Sequence, residues 1–482
     1  MVSRRPSPEV RAALTVGAVA AAVRVAWVLF ASRPPQGLSD PKIYVAAAES
    51  IARGDGYTSL HGLPTAYYPP GYPFFLGGLR AALDVVGAGA HHVLVTGLVQ
   101  ALLGGVGAGA VVLIGCRLVA RTQPRRDLRP GVLAGAVVAL WPNLVLHTAV
   151  VLSETVFLAG FYVALAALCA WLDLGDDGSV RRRRALGAEV VVGTAWATLV
   201  RPQSVVLLVP AAALAWWLGG VPLRRAARGV GLVVAGLALA VLPWTMRNVV
   251  VMDAPVPMST NTGDNLCMGF NDDANGAFIQ TPECFTDGRY VDGPEVEVER
   301  DAELRGRALR WIASNPGALP RLSLQKLRAT FVHDADAVAA WESYGEDVHL
   351  GDGARAALRW ASDLYYWAVA LVALGGLVLV GADTRRARRD RRPPPVHALL
   401  VAAVTLGGVL VPVLFFGAER FKVPIVPCLA LLAAYVPARF WARRSEAPEG
   451  AHPHTGPTRV PEGPEAPEHA TRTPSSAAEP AP

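Results

Sequence analysis

The chain alternates long apolar blocks with short polar punctuation, and most blocks run close to the length that crosses a bilayer. A hydrocarbon core of about 30 Å takes roughly 20 residues of helix. Ten stretches read as spans: 12–32, 92–119, 130–148, 151–172, 185–200, 203–220, 229–245, 360–381, 396–416 and 422–440. The stretch 131–172 is apolar almost throughout, yet as one helix it would be about 60 Å long. It must fold back, and the polar place to do so runs from Trp141-Pro142-Asn143 to Ser153-Glu154. Likewise 185–220 holds two short spans hinged at Arg201-Pro202, because proline breaks the helical ladder and restricts the residue before it.

The connecting segments carry their own patterns. Asp40 opens an amphipathic helix that runs to Arg53 and stops at Gly54-Asp55-Gly56. The run Thr65-Ala66-Tyr67-Tyr68-Pro69-Pro70-Gly71-Tyr72-Pro73 cannot be a spanning helix, since its prolines remove amide donors. In 246–359, Pro255 to Gly276 reads as ordered loop. A helix is expected over Glu295–Ala313, with Leu304, Ala308 and Trp311 on one face; Asn315-Pro316-Gly317 breaks it before a second helix through Leu322, Lys326 and Phe331. The tail from Ser445, rich in Pro, Glu, Ala and Thr, has little to bury and is expected to be disordered.

Composition agrees with the pattern: 52% hydrophobic and 17% charged residues are too apolar for a soluble chain of this length. The net charge of +6 sets orientation. Arginines cluster at Arg4/Arg5/Arg11, Arg117–Arg129, Arg181–Arg184, Arg224–Arg228, Arg385–Arg392 and Arg439–Arg444. With ten spans all six clusters fall on one side, which the positive-inside rule makes cytoplasmic. Charge divided among short loops argues against a nucleic-acid partner. Both termini are then cytoplasmic, in a multi-pass plasma-membrane protein whose first span is too long for a signal peptide. Cys267 and Cys284 share the long outer segment and are either a disulfide or two thiols. Cys116, Cys169 and Cys428 lie in or at the ends of spans, and no Cys/His spacing suggests zinc.

Charged residues at the outer ends of the spans are few. Asp40 either caps a helix start or accepts a proton from an attacking hydroxyl. Glu154 opens a span, where a carboxylate suits the helix dipole or serves function. Arg201 sits at the hinge, Arg247 and Asn248 where a span emerges, and Arg420 and Lys422 flank Phe421 where the last span enters. Each cation alone reads as well as a snorkelling side chain. Together they suggest a phosphate site, because guanidinium groups bind phosphate oxygens through paired, charge-assisted hydrogen bonds. Tyr67 and Tyr68 are either interfacial aromatics or the wall of a sugar pocket.

The Asp40 context, Tyr-Tyr-Pro-Pro-Gly-Tyr-Pro, Ser153-Glu154, Arg201-Pro202, Pro243-Trp244-Thr245-Met246-Arg247-Asn248, Ser259 to Leu266, and Arg420-Phe421-Lys422-Val423-Pro424 occur in this order. The ordered set resembles the integral-membrane glycosyltransferases of the GT-C class, especially the family 39-like bacterial relatives of protein mannosyltransferases and of the aminoarabinose transferase of lipid A. It covers residues 10 to 440. The resemblance implies an all-α polytopic fold of about ten transmembrane helices with a juxtamembrane helix region and a small, mostly helical extracytoplasmic segment. Its parts would be a cytoplasmic N-terminus (1–11), a transmembrane catalytic module (12–245) with outer loop 33–91, the extracytoplasmic segment (246–359), C-terminal spans (360–440) and a cytoplasmic tail (441–482).

It further implies a sugar donor linked to polyprenyl phosphate and an extracytoplasmic acceptor (glycan, lipid or protein) among the membrane lipids. Asp40 would be the general base, Glu154 would hold donor or acceptor, and Arg247 and Arg420 would meet the donor phosphate. Pro41 stands where protein mannosyltransferases carry a second acid. That departure argues against protein O-mannosylation and against a divalent-metal pair here, and the sequence indicates no other cofactor. Two alternatives share an anion site: a flippase for a lipid-linked sugar, and an inactive relative that serves assembly. Matching half-repeats with broken spans, which transporters often show, are not evident.

The arginine map is tested by topology reporters. A fusion after residue 444 should report cytoplasm and an insertion near residue 288 the outside; both on one side would remove the outward-facing arrangement.

Overall fold

The apolar blocks form helices in a computed structural model that describes residues 6–119, 127–174, 179–205, 207–209, 213, 217, 223–285 and 293–446. The principal elements are α1 (Pro8–Ala31), α2 (Asp40–Arg53), α3 (Gly71–Val85), α4 (His92–Gly115), α5 (Arg129–Ala139), α6 (Pro142–His147), α7 (Glu154–Leu172), α8 (Val180–Val200) and α9 (Leu223–Val251). They continue with α10 (Thr262–Gly269), α11 (Pro294–Ser314), α12 (Leu319–Phe331), α13 (Asp336–Trp341), α14 (Asp352–Arg389), α15 (Val396–Leu414) and α16 (Val426–Glu446), the last entered through a 3₁₀ segment, Glu419–Ile425. Seven helices among the described residues are long and apolar enough to cross a membrane. This is a polytopic, all-helical membrane protein.

The ten expected spans need amendment. The fold-back within 131–172 is present, but the span placed at 130–148 is two pieces, because Trp141-Pro142 ends α5 and starts α6. At 11 residues α5 is only about 16 Å long. Span 185–200 lies within α8, whose first turns carry Arg181 to Arg184; Arg201 leaves the helix in an extended conformation, as the hinge required. Most of 203–220, the segment around residue 288 and the tail from 447 lie outside the described residues. The loop expected over Pro255–Gly276 contains a helix, α10. Its cysteine explains the order: Cys267 is bonded to Cys284, 17 residues on, and both pack under Leu304 of α11. Closing a loop of that size is worth about 3 kcal/mol.

Three contacts set the bundle. α1 and α4 touch backbone to backbone: a Cβ on Gly105 would lie 2.6 Å from the Gly17 carbonyl oxygen, the small-residue contact by which membrane helices approach. Arg24 of α1, 2% exposed, donates to the carbonyls of Val138 (3.1 Å) and Ala139 (3.0 Å), so it satisfies the last turn of α5 where the chain breaks. Gln100 of α4 donates to the carbonyls of Thr148 (3.0 Å) and Val150 (2.9 Å) and accepts from the Tyr72 hydroxyl at 2.9 Å. That clamp fixes the turn that delivers Glu154.

Lys422 belongs to this scaffold. It is fully buried, with Nζ 3.2 Å from Asp334 Oδ1 and bonded to the carbonyls of Thr330 (3.0 Å), Glu419 (3.2 Å) and His333. Asp334 also accepts from Trp141 Nε1 (2.6 Å) and Asn143 Nδ2 (3.0 Å). The network ties the α5–α6 break to the segments before α13 and α16.

Lys326 of α12 is the opposite case. It is 1% exposed, with Nζ 3.2 Å from the Phe270 ring centre and 3.4 Å from the Val413 carbonyl. Burial lowers its amine to about 7. Between that value and the ordinary lysine range the unfolded chain binds the extra proton, so stability rises with pH across this window and is lowest below it. Lys326→Met should raise Tm at pH 6–7 and flatten the rise of Tm from pH 7 to 10 in detergent thermal melts; an unchanged pH profile would refute the assignment.

Candidate active site

One end of the bundle gathers four charges from four elements. Asp40 is the first residue of α2, behind an N-cap serine, Ser39, whose side chain makes no cap hydrogen bond. Its carboxylate instead accepts from the Tyr68 hydroxyl at 2.7 Å and pairs with Arg420 Nη1 at 2.7 Å. The same guanidinium reaches Glu154 through Nε at 3.1 Å, and Glu154 Oε1 also receives Arg201 Nη1 at 2.5 Å. The order is Tyr68, Asp40, Arg420, Glu154, Arg201. Glu154 is 1% exposed, and a carboxylate so buried stays charged only with partners of this kind.

Sequence position explains the convergence. α7 begins at Glu154 and α8 ends at Val200, just before Arg201, and these two helices pack together. A Cβ on Gly71 would lie 2.6 Å from the Leu199 backbone, so the Tyr-Pro-Pro-Gly turn abuts the end of α8 and brings Tyr68 alongside. Around Asp40 the tyrosines pack against one another, tilted or edge to face. Tyr44 lies 4.9 Å from the rings of both Tyr68 and Tyr72, and Tyr67 is 4.9 Å from Tyr68. Burial first, and then the charge of Asp40, push the Tyr44 phenol well above its ordinary value.

Arg247 has different partners. Its guanidinium donates to the carbonyls of Thr65 (2.8 Å) and Tyr57 (2.9 Å) and to Asn248 Oδ1 (2.9 Å), and it lies over the Trp244 ring. Asn248 in turn donates to the Val256 carbonyl at 2.8 Å. Both brace the tyrosine loop from α9. Glu297 of α11 braces it from the other side, accepting from Thr65 Oγ1 (2.6 Å), the Ala66 amide (2.9 Å) and Thr260 Oγ1 (2.5 Å). Burial raises the Glu297 carboxyl despite those donors.

The sequence matches no known protein family and no curated protein, but solved structures resemble this one. The apo oligosaccharyltransferase of Archaeoglobus fulgidus superposes with a TM-score of 0.51 over 89% of this chain, at 13% identity. The match takes in 51% of that protein, so the chain spans about half its length. ArnT from Cupriavidus metallidurans is similar over 88% of this chain at 16% identity, with TM-scores of 0.39 bound to undecaprenyl phosphate and 0.40 in the apo state, over 78% and 77% of that chain.

The fold is GT-C-like.

Within this GT-C-like fold the structure brings together Asp40, Glu154, Tyr68, Arg201 and Arg420. Arg247, Asn248 and Lys422 are bonded elsewhere, to the tyrosine loop and the scaffold. Sequence reasoning missed Tyr344. Ser343, Tyr344 and Gly345 are three successive residues with positive φ (50°, 56° and 103°), a costly backbone for the first two. Glu342 secures the turn by accepting from Arg355 Nε (2.7 Å) and the amides of His349 (2.9 Å) and Leu350 (2.8 Å), and Arg355 above all holds its carboxyl down to about 2. Tyr344, 44% exposed at this turn, thereby sits where Arg420, Asp40 and Glu154 act on it electrostatically.

Glu297→Ala should free the tyrosine loop, at about 1.5–3 kcal/mol for hydrogen bonds to a charged group. Hydrogen exchange should rise over residues 64–68 and stay unchanged in α7; equal exchange in both proteins would remove the brace.

Proposed function

We propose that the protein transfers a sugar from a polyprenyl-phosphate donor to an extracytoplasmic acceptor by a single inverting displacement. The observation that carries this reading is Arg420 held between Asp40 and Glu154 at the end of a GT-C-like bundle. The acceptor hydroxyl oxygen attacks the anomeric carbon, Asp40 takes its proton, and the bond from that carbon to the phosphate oxygen breaks. Polyprenyl phosphate leaves with the bonding electrons. Fixed guanidinium groups aimed at that phosphate lower the barrier, and in this reading Arg420 and Arg201 serve as those cations. Arg247 and Asn248 then act as positioning residues for the tyrosine loop, and Lys422 as scaffold. Residues 246–359 and the 33–91 loop face the extracytoplasmic side, with both termini cytoplasmic.

Charge balance adds a step. Two carboxylates already occupy two guanidinium groups, and an arginine-paired carboxylate is a poor base because the pairing favours its charged form. An incoming phosphodiester competes for Arg420 and frees Asp40, so the base is exposed when a donor is present.

Asp40→Asn keeps the size of the side chain but accepts no proton. Transfer from polyprenyl-phosphate sugars by purified protein should fall about a hundredfold or more, with membrane insertion intact. Arg420→Lys keeps charge without the paired geometry and should weaken donor binding and slow polyprenyl phosphate release. Normal turnover in Asp40→Asn, or release of no polyprenyl phosphate by the unaltered protein, would overturn the reading.

A further inference from the structure

Beside the ionic chain lies a second polar group that the mechanism above does not use. His147 ends α6 and Asp336 begins α13, with His147 Nε2 3.3 Å from Asp336 Oδ2. The two helices are latched by the Ala337 amide donating to Asn143 Oδ1 at 3.0 Å. The pair adjoins the site: His147 neighbours Glu154, and Asp336 neighbours Arg420 and Tyr344, closely enough to act on them electrostatically. His147 and Glu154 are each 1% exposed. Among the described residues, both ring nitrogens of His147, Oδ2 of Asp336 and Oε2 of Glu154 are buried without an aligned hydrogen-bond partner.

Buried polar atoms in native proteins are ordinarily bonded, and this fold bonds them next door. Asp334, two residues before Asp336, engages Trp141, Asn143 and Lys422. Unfilled capacity occurs at other places among the described residues as well, but here four such atoms, from His147, Asp336 and Glu154, belong to side chains at or beside the ionic chain. Its chemistry is selective. A neutral imidazole offers one donor and one acceptor, and each carboxylate oxygen is an acceptor. Two carboxylates repel a phosphate, whereas adjacent sugar hydroxyls each donate and accept. Glu154 joins the two sets of groups: its Oε1 takes Arg420 and Arg201, and its Oε2 is left over beside the His147–Asp336 pair.

We infer that His147, Asp336 and the free oxygen of Glu154 form the subsite that binds the hydroxyl groups of the transferred sugar. This rests on the donor reading above and assigns the sugar-reading role to side chains that reading left idle. Anionic phosphate seats on the arginines, and the neutral ring extends toward His147.

The test compares two classes of lipid on protein in nanodiscs: bare undecaprenyl phosphate, and undecaprenyl phosphate carrying mannose, glucose or arabinose. The unaltered protein should bind at least one glycosylated lipid more tightly than the bare one. His147→Phe and Asp336→Asn should each cost that lipid about tenfold in Kd, the worth of a lost buried hydrogen bond, and leave bare undecaprenyl phosphate unchanged. His147→Gln, which keeps a donor and an acceptor, should recover part of the loss and controls for folding. Equal weakening toward both lipid classes, no weakening toward either, or no preference for any glycosylated lipid would overturn the subsite while the donor reading stands. Failure of the unaltered protein to bind bare undecaprenyl phosphate would instead remove the donor reading, and the subsite with it.

Discussion

Taking an ion out of water costs several kcal/mol even after relaxation, and a buried pair offsets that only with good geometry and further hydrogen bonds. Glu154 meets the condition through two arginines that reach one oxygen from different helices. Remove either guanidinium and the carboxylate is left in an apolar wall with half its support. The position of α7 is thus conditional on the end of α8 and on the 3₁₀ entry to α16. Through Arg420 it is also conditional on α2. Four elements whose charges span 380 positions of sequence are locked into one arrangement by a charge requirement, and the site exists only once the bundle has closed.

The scaffold around this point is built differently. Gln100, Arg24 and Lys422 each bind two or more oxygens, as rigid polar networks demand. They occur where the backbone breaks: at the end of α5, at the turn before α7, and at the irregular entry to α16. Irregular backbone inside a membrane is tolerated only where protein satisfies it. The tyrosine loop, held from α9 by Arg247 and from α11 by Glu297, receives the same treatment nearer the surface.

Much of this was legible from residues alone. Asp40 and Glu154 stood out as carboxylates at helix starts beside an apolar core, and Arg201 and Arg420 as cations at the same depth. Chain length forced the fold-back near Trp141-Pro142, and the 3.6-residue period revealed α11 and α12. What failed was partner assignment. Arg247 and Arg420 look alike in sequence, each near an aromatic residue, Trp244 or Phe421, toward the end of a span. One meets loop carbonyls and the other two carboxylates, because only tertiary packing decides what lies opposite. Lys422, two residues from Arg420, faces the opposite way into the scaffold. Tyr344 gave a turn signal at best, since a left-handed run at Ser343-Tyr344 follows from its anchoring by Glu342 rather than from propensity. Helix α10 was hidden by its Asn- and Gly-rich composition, which a covalent bridge overrides.

Arg24 has a bearing on biogenesis. Its partners, the Val138 and Ala139 carbonyls, lie 114 and 115 residues downstream, so α1 is made and threaded toward the lipid long before they exist. An arginine at the centre of a lone spanning helix costs about 2.5–3.5 kcal/mol by insertion scales. Until α5 emerges from the ribosome, α1 is a poorly anchored span that favours the insertion machinery or the bilayer margin. The arrival of a helix too short to cross on its own then settles both at once, which makes the first and fifth helices a single unit of co-translational assembly.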